Sequence, residues 1–430
     1  MNTPQYERIK PVLKRKLGLW DAVSIGLGAI IGAGIFVLVG IASGIAGPAV
    51  IFSIIISGLS ATFTALSFAI LGAAFPKAGG VYEYGHELLS PPLGFVLGWM
   101  WIFGNIVMGA TASLGFGYYL SSVFNMVSFK IGALTIILTV VLLNTMGIKQ
   151  AAIVNNLIVV MKIGVLLLFT IIGLPWIQFS NFENFLPYGI IPVFQAAGFF
   201  YFAYIGFPRV TTVAEEVKDP EKNIPLAIML SLTISTIIYL LVSTTAVGIV
   251  GYEALSDSPT PIGDVAKLLG LSGIVEAGAL LAIFGVVLTS VMGQSRIFFA
   301  MARNGEIPQF LSKIHGKLET PVYSILLSGI IMALLVLTVD ISSLASLGSF
   351  CILFTHIFTN FSALRLYNST FRNKVRAYFQ PFSSILGLVM SLLLIFSLEA
   401  NIIAWGIIVC SIGLLWYFTY KTLSKRKIKT

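Results

Sequence analysis

Long apolar stretches separated by short polar connections run through almost the whole chain. Windows of about 19 residues give twelve candidate spans, each close to the ~20 apolar residues that cross a bilayer as an α-helix. Their centres lie near Gly32, Ala61, Phe103, Ile137, Lys162, Phe202, Tyr239, Phe284, Met332, Leu353, Met390 and Ile412. The pattern predicts an all-α polytopic membrane protein with 12 transmembrane helices.

The spans leave no stretch long enough for a separate soluble domain. We expect a cytoplasmic tail at 1–17, a ten-helix core at 18–366, helices 11 and 12 with their preceding loop at 367–420, and a second tail at 421–430. The core divides into two repeats of five helices, at about 18–174 and about 188–366. Short surface helices are predicted after Gly80 and over Asp264–Leu269, where polar residues interrupt the apolar pattern.

Composition excludes the soluble classes. Hydrophobic residues make up 57% of the chain and charged residues only 10%, and the mean hydropathy is +0.97. Because soluble domains carry about 25% charged residues, the spans are best explained by a lipid environment.

The net charge of +9 is distributed in a way that sets the orientation of the spans. Lysine and arginine cluster before span one and after spans six, eight, ten and twelve, whereas the alternate connections hold only Lys130 and Lys267. The positive-inside rule therefore predicts that both termini are cytoplasmic, in a multi-pass protein of the cell membrane. The charge requires no nucleic-acid partner, although it favours contact with anionic membrane lipid.

The first span is interrupted by glycine. The stretch 28–36 reads Gly-Ala-Ile-Ile-Gly-Ala-Gly-Ile-Phe, with Gly32 and Gly34 near the middle of the membrane. Glycine costs a helix interior about 1 kcal/mol relative to alanine. Non-helical backbone at this depth is tolerated where it lines a cavity within the protein. The stretch thus predicts a broken helix, and close helix packing through small residues is the alternative.

The sixth span carries a second interruption, at Gly206 and Pro208. Proline in a helix interior removes a hydrogen bond, but it is favoured in the first turn of a new helix. We therefore expect one helix to end near Tyr204 and another to begin near Pro208, with a simple proline kink as the alternative. Spans one and six each open a half of five spans, and these halves run in opposite directions. Breaks at corresponding positions of two halves indicate the binding site of a transporter.

Such a pair of breaks suits a zwitterion. Free N–H groups at a helix start attract an anion, and free carbonyls at a helix end attract a cation. Span one could offer the N–H groups of Ala33, Gly34 and Ile35 to a carboxylate. An ammonium could be held by the carbonyl groups of Ile30, Phe202, Ala203 and Ile205. A ligand that carries both groups close together is an α-amino acid.

Lys162 lies about eleven residues from each end of the apolar stretch 151–173, or ~16 Å at 1.5 Å per residue. A lysine stem cannot reach water from that depth, and ionisable groups inside a membrane usually face the bundle interior. Lys162 is therefore a candidate for proton coupling, and a permanently charged structural cation is the alternative. Thr289 and Ser290 of span eight could bond Lys162 or span one, and bonds to carbonyls of their own helix are the alternative.

Other polar residues suggest weaker hypotheses. Glu215 and Glu216 could pair with the basic residues at positions 14–16 as a cytoplasmic gate, or they could belong to a solvated loop. The sequence contains two cysteines and three histidines, at scattered positions. No metal site, no cofactor and no catalytic residues are predicted, so we do not expect an enzyme.

Four segments resemble the amino acid–polyamine–organocation (APC) family: 28–36, 76–84, 202–225 and 295–308. The resemblance implies a five-plus-five inverted repeat with broken helices 1 and 6, two further C-terminal helices, and alternating access. It also implies a substrate carboxylate on Gly32–Ile35 and an amine on the span-six carbonyls. In some members a lysine at the place of Lys162 replaces a sodium ion and is linked to proton coupling. Many relatives carry an acid where this chain has Pro208, which weakens any preference for cationic substrates.

The sequence therefore predicts an importer of α-amino acids, with neutral substrates favoured and the proton as the co-transported ion. An amino acid exchanger and a non-transporting amino acid sensor are the alternatives.

Overall fold

The computed structural model describes residues 14–32, 34–75, 79–123, 128–258, 260–339, 341–367, 380–396 and 400–429. Within these ranges the regular structure is helical, with one isolated parallel bridge between Leu17 and Val217. The α-helices are α1 (Leu19–Ile30), α2 (Val39–Ala46), α3 (Val50–Ala74), α4 (Val81–Leu88), α5 (Pro91–Val123), α6 (Phe129–Thr145), α7 (Ile148–Gly173), α8 (Ile191–Tyr201), α9 (Arg209–Thr212), α10 (Pro220–Ser256), α11 (Pro261–Leu268), α12 (Ser272–Arg303), α13 (Val322–Thr338), α14 (Ile341–Tyr367), α15 (Phe382–Phe396) and α16 (Ala400–Lys429). Short helices form at the two predicted places, as α4 and α11, but residues 81–85 of α4 and five residues of α11 are buried and not at the surface.

Many of these helices are suited to a lipid environment. Eight helical segments in the described ranges are long and apolar enough to cross a membrane, and α6, α13 and α15 are shorter apolar helices. Large apolar side chains such as Ile407 and Leu415 project outwards from α16, where 56% and 66% of their surface is exposed. The prediction of an all-α polytopic membrane protein is consistent with this architecture. The count of twelve spans and the inverted repeat stay predictions.

The first apolar segment is broken where its glycines lie. α1 ends at Ile30, and Ile31 takes an extended conformation with φ −78° and ψ 104°. Helical structure resumes at Gly34 with a π-helical turn over Gly34–Leu38, which leads into α2. Ile30, Ile31 and Ile35 are buried. The break therefore lies inside the helix bundle, where surrounding protein can satisfy irregular backbone.

The second break follows the proline. α8 ends at Tyr201, a 3-10 turn covers Phe202–Tyr204, and α9 begins at Arg209 with Pro208 as its N-cap. The chain restarts through tight i→i+3 bonds, with the Arg209 N–H donating to the Gly206 carbonyl at 3.2 Å. Proline lacks an N–H and is pre-shaped for a first helical turn, so the restart occurs at this residue.

Helix packing brings the two breaks together in the interior. α1 packs against α7, α10 and α12, while α5 packs against α12 and α14. The π-helical turn of the first break also contacts the 3-10 turn of the second. The interrupted segments, about 170 residues apart in the chain, thus form one region of the core.

Ion pairs close the end of the bundle that carries the N-terminal segment 14–17. Arg296 Nε donates to Glu216 Oε1 at 2.9 Å, and both side chains are buried. Arg303 Nη1 bonds Glu215 Oε1 at 3.0 Å. The hypothesis that Glu216 pairs with Lys14, Arg15 or Lys16 is therefore wrong, and Glu215 forms an ion pair with Arg303. Because Glu216 is buried beside a guanidinium of α12, the N-terminal segment meets it only through the main chain, with Leu17 N bonded to the Glu216 carbonyl at 2.9 Å.

The lysines of the N-terminal segment instead form ion pairs with Glu319, which precedes α13. Hydrogen bonds from Lys14 and Lys16 lower the pKa of the Glu319 carboxyl to about 2. Nearby, a hydrogen bond with Glu306 raises the pKa of His86, because the carboxylate favours the charged imidazolium. Charged groups on this end of the bundle are therefore paired across several helices.

Candidate functional site

Lys162 binds the carbonyl end of α1. Its Nζ donates to the carbonyl oxygens of Gly28 at 3.1 Å and Ile31 at 2.5 Å, and the side chain is fully buried. Carbonyls in the last turn of a helix lack a donor one turn further on, and they carry partial negative charge. At the first break the Lys162 ammonium supplies these carbonyls with a hydrogen-bond donor and with a positive charge.

One face of α7 holds Lys162 in register with α1. Asn155, two helical turns before the lysine, donates from Nδ2 to the Ser24 carbonyl at 2.7 Å. A side chain at Gly28 would overlap the Asn155 amide, with a Cβ only 3.0 Å from its Cγ. The close approach of α7 to α1 therefore depends on the glycine, and it places the lysine at the carbonyl end.

The two breaks touch through their main chains at Gly206. A Cβ at this position would lie 2.6 Å from the Ile30 backbone nitrogen, and closer still to the Ala29 carbonyl group. Real Cβ atoms are essentially never found so close to backbone atoms, so only glycine fits here. We call this contact the backbone joint.

Tyr239 of α10 ties the same two segments together. Its hydroxyl lies 2.7 Å from the Ile30 carbonyl oxygen and 3.1 Å from that of Ala203, so the hydroxyl hydrogen can be shared between the two breaks. Both carbonyls belong to the group predicted to receive an ammonium. The sequence analysis did not identify Tyr239, because no local sequence feature distinguishes it from the rest of the 15 tyrosines in the chain.

We expect Tyr239→Phe to lower the free energy of unfolding by about 0.5–1.5 kcal/mol, because the loss of one buried hydroxyl leaves two carbonyls with fewer donors. Tyr323→Phe is the matched control, since about half of the Tyr323 side chain is exposed. Thermal unfolding of both variants in one detergent measures the difference. Equal unfolding temperatures for the two variants would show that the shared hydroxyl does not stabilise the breaks.

Arg209 is a second buried cation beside the site. Its Nη1 donates to Thr289 Oγ1 at 3.0 Å and its Nη2 to Ser290 Oγ at 3.0 Å, while Nε reaches Asn105 Oδ1 at 3.1 Å. The hypothesis that Thr289 and Ser290 bond Lys162 or span one is therefore wrong. Thr289 Oγ1 donates to a carbonyl of its own helix, that of Gly285 at 2.9 Å, which confirms the alternative for this residue. The guanidinium takes their oxygens because it offers several donors in one plane. The rule that charges inside a membrane mark functional sites would have identified Arg209 from the sequence.

The residues predicted for the site lie together where they are described. Six of these residues are buried at the two breaks: Ile30, Gly32, Gly34, Ile35, Ala203 and Ile205. A Cβ at Gly32 would overlap the Val286 side chain of α12. Ala33 and the side chain of Phe202 lie outside the described residues. Among the residues searched, no group of His, Cys, Asp or Glu could hold a metal ion.

Chemically, the arrangement can bind opposite charges without a covalent step. A helix end supplies carbonyls at Ile30 and Ile31, a helix start follows at Gly34, and a second set of carbonyls lies in the 3-10 turn Phe202–Tyr204. These groups are main-chain dipoles held in a buried region, which is suited to binding and release.

Comparison with known proteins agrees with this arrangement. Residues 17–409 match the model of a family described as amino acid permease. The branched-chain amino acid permease BcaP of Bacillus subtilis is 34% identical over 78% of this chain and 77% of its own length. The methylthioribose transporter of Bacillus subtilis is 32% identical over 95% of this chain and 94% of its own length. Cationic amino acid transporter 4 of Arabidopsis thaliana is 31% identical over 78% of this chain and 60% of its own length.

The family match covers both breaks, Lys162 and Arg209, and the relatives are named as a permease or as transporters. The chain therefore belongs to the amino acid permease family of the amino acid–polyamine–organocation transporters.

Proposed function

We propose that this chain is a secondary active transporter that imports neutral α-amino acids across the cell membrane by alternating access with proton symport. In this proposal both termini are cytoplasmic, and twelve spans form a ten-helix core of two inverted repeats followed by two helices. The observation that carries the proposal is the backbone joint, which brings two interrupted helices together inside the bundle. Paired interruptions of this kind mark transporter binding sites.

The substrate carboxylate would bind the N–H groups at the restart of the first helix, from Gly32 to Ile35. Its amine would bind the carbonyls of Ile30, Phe202, Ala203 and Ile205. The Tyr239 hydroxyl already reaches the carbonyls of Ile30 and Ala203. Because a carbonyl oxygen has two lone pairs, each can accept from the tyrosine and from an ammonium together.

Lys162 would carry the coupling proton. A protonated amine donates to the Gly28 and Ile31 carbonyls and holds α7 against the end of α1. A neutral amine has lost one donor and its charge, and so it binds these carbonyls more weakly. Loss of the proton would therefore weaken the contact between α7 and the first break, and this is the step that we propose couples proton movement to transport.

Proteoliposomes containing the purified protein test the proposal. A thermal-shift screen of the twenty amino acids first identifies a ligand, and its radiolabelled form is then used in uptake assays. We expect uptake to follow an imposed inward proton gradient in the absence of sodium. Uptake driven by sodium and insensitive to the pH gradient would contradict proton symport.

The same vesicles separate the alternatives. Flux that requires unlabelled amino acid inside the vesicles would identify an exchanger. Ligand-induced stabilisation without any flux would indicate a sensor. Absence of stabilisation by all twenty amino acids would contradict amino acid transport itself.

A further inference from the structure

The buried site contains two cations, and their charge has no acidic counterpart nearby. Among the residues that the structure describes, no carboxylate forms an ion pair with Lys162 or Arg209. Both side chains are buried, at 0% and 1% exposure, and they lie beside the neighbouring residues Gly285 and Val286 of α12. The region between the two breaks is therefore electropositive.

Partners of Arg209 are all neutral oxygens. Asn105, Thr289, Ser290 and the Val286 carbonyl accept its hydrogen bonds. Neutral dipoles orient a guanidinium and reduce the cost of its burial, but they leave its net charge in place. By contrast, Arg296, about two turns beyond Thr289 on α12, forms an ion pair with Glu216 at 2.9 Å.

Val286 of α12 connects Arg209 to the position proposed for the substrate carboxylate. It follows directly on the restart of the second broken helix, and its Nη1 lies 3.3 Å from the Val286 carbonyl. The Val286 side chain packs against Gly32, where the carboxylate would bind. Gly285, the neighbour of Val286, lies beside Lys162, so that a Cβ there would be 3.5 Å from the ammonium. Two adjacent residues of α12 thus separate the cations.

We propose that Arg209 determines substrate specificity by charge, excluding amino acids with a cationic side chain. This inference rests on the proposed function. An α-amino acid with a neutral side chain brings no net charge to the site, whereas ornithine or lysine brings one more positive charge. Like charges brought together across a dry interface are strongly unfavourable, and specificity often depends on such repulsion. A glutamate side chain would be attracted by the same field.

The test uses ligands of similar size and different charge. Dissociation constants of L-norleucine, L-ornithine, L-glutamine and L-glutamate are measured on the purified full chain and on Arg209→Gln and Arg209→Lys. In the unmodified protein we expect ornithine to bind at least ~30-fold more weakly than norleucine. Arg209→Gln should reduce the ratio of the ornithine and norleucine dissociation constants about tenfold. It should also weaken the binding of glutamate relative to that of glutamine. Arg209→Lys should keep both ratios, because it keeps the charge.

A charge effect changes the affinities for ornithine and glutamate in opposite directions. A structural change in the site would change both affinities in the same direction. Arg365→Gln provides the matched control, because Arg365 is exposed on α14 and should leave the ratios unchanged. Equal affinity of the unmodified protein for ornithine and norleucine would overturn the inference while leaving amino acid transport intact. Ratios that change equally in Arg209→Gln and Arg209→Lys would also overturn it. A chain that binds none of the twenty amino acids or these probes would contradict the proposed function as well.

Discussion

Replacing Lys162 by alanine is expected to lower proton-driven uptake by at least ~100-fold. The ammonium makes two buried hydrogen bonds to the end of α1 and has no carboxylate partner in the described part of the chain. Hydrogen bonds to charged groups contribute about 1.5–3 kcal/mol each. Since ~1.4 kcal/mol corresponds to a factor of ten, the loss of two such bonds is sufficient for this effect.

Uptake by Lys162→Ala should be measured with and without an inward proton gradient, alongside the thermal unfolding of the variant. We expect the variant to fold, to bind substrate more weakly, and to give the same uptake in both conditions. Lys130→Met is the matched control, because exposed Lys130 also donates to a carbonyl, that of Leu337, at 3.1 Å. Continued gradient-driven uptake by Lys162→Ala would assign the lysine a purely structural role.

Replacing Gly206 by alanine is expected to abolish transport, with at least a ~100-fold loss of uptake. The added Cβ would overlap the Ala29 carbonyl group and the Ile30 nitrogen. Backbone atoms cannot rotate away as a side chain can, so one of the two breaks must move. Forcing extra atoms into a packed interior typically costs 1–3 kcal/mol, and main-chain displacement here would also shift the carbonyls proposed to bind the amine.

Uptake and unfolding temperature should be measured together for Gly206→Ala and for the control Gly164→Ala. Gly164 lies in α7, two residues after Lys162, and a Cβ there would meet nothing within 4 Å. The control should therefore fold and transport normally. Normal uptake by Gly206→Ala would show that the backbone joint is not required for transport.

The sequence alone predicted the parts of the structure that depend on local chemistry. Gly32, Gly34, Gly206 and Pro208 locate both breaks, because glycine and proline alter a helix at their own positions. The depth of Lys162 within an apolar stretch predicts its burial, since a lysine that far from water must face the protein interior. Helix ends could be predicted from these residues without knowledge of the neighbouring helices.

The hydrogen-bond and ion-pair partners of the buried polar side chains could not be predicted, because they depend on packing between distant segments. Thr289 and Ser290 bond Arg209 instead of Lys162, since α9 and not α7 brings its donors to that turn of α12. Glu216 pairs with Arg296, 80 residues away, and not with the N-terminal lysines. Tyr239 carries no local signal at all, and its role is visible only once α10 lies beside both breaks.

The backbone joint has a consequence for engineering this transporter. The contact consists of main-chain atoms and one glycine, and the Tyr239 hydroxyl adds a side-chain link between the same two breaks. Under the proposed function, side chains beside the joint, such as Ala203 and Phe207, can be varied to change which substrate is preferred while Gly206 and Tyr239 are kept. Libraries that fix Gly206 and Tyr239 should therefore retain a higher fraction of active variants than libraries that vary these two positions.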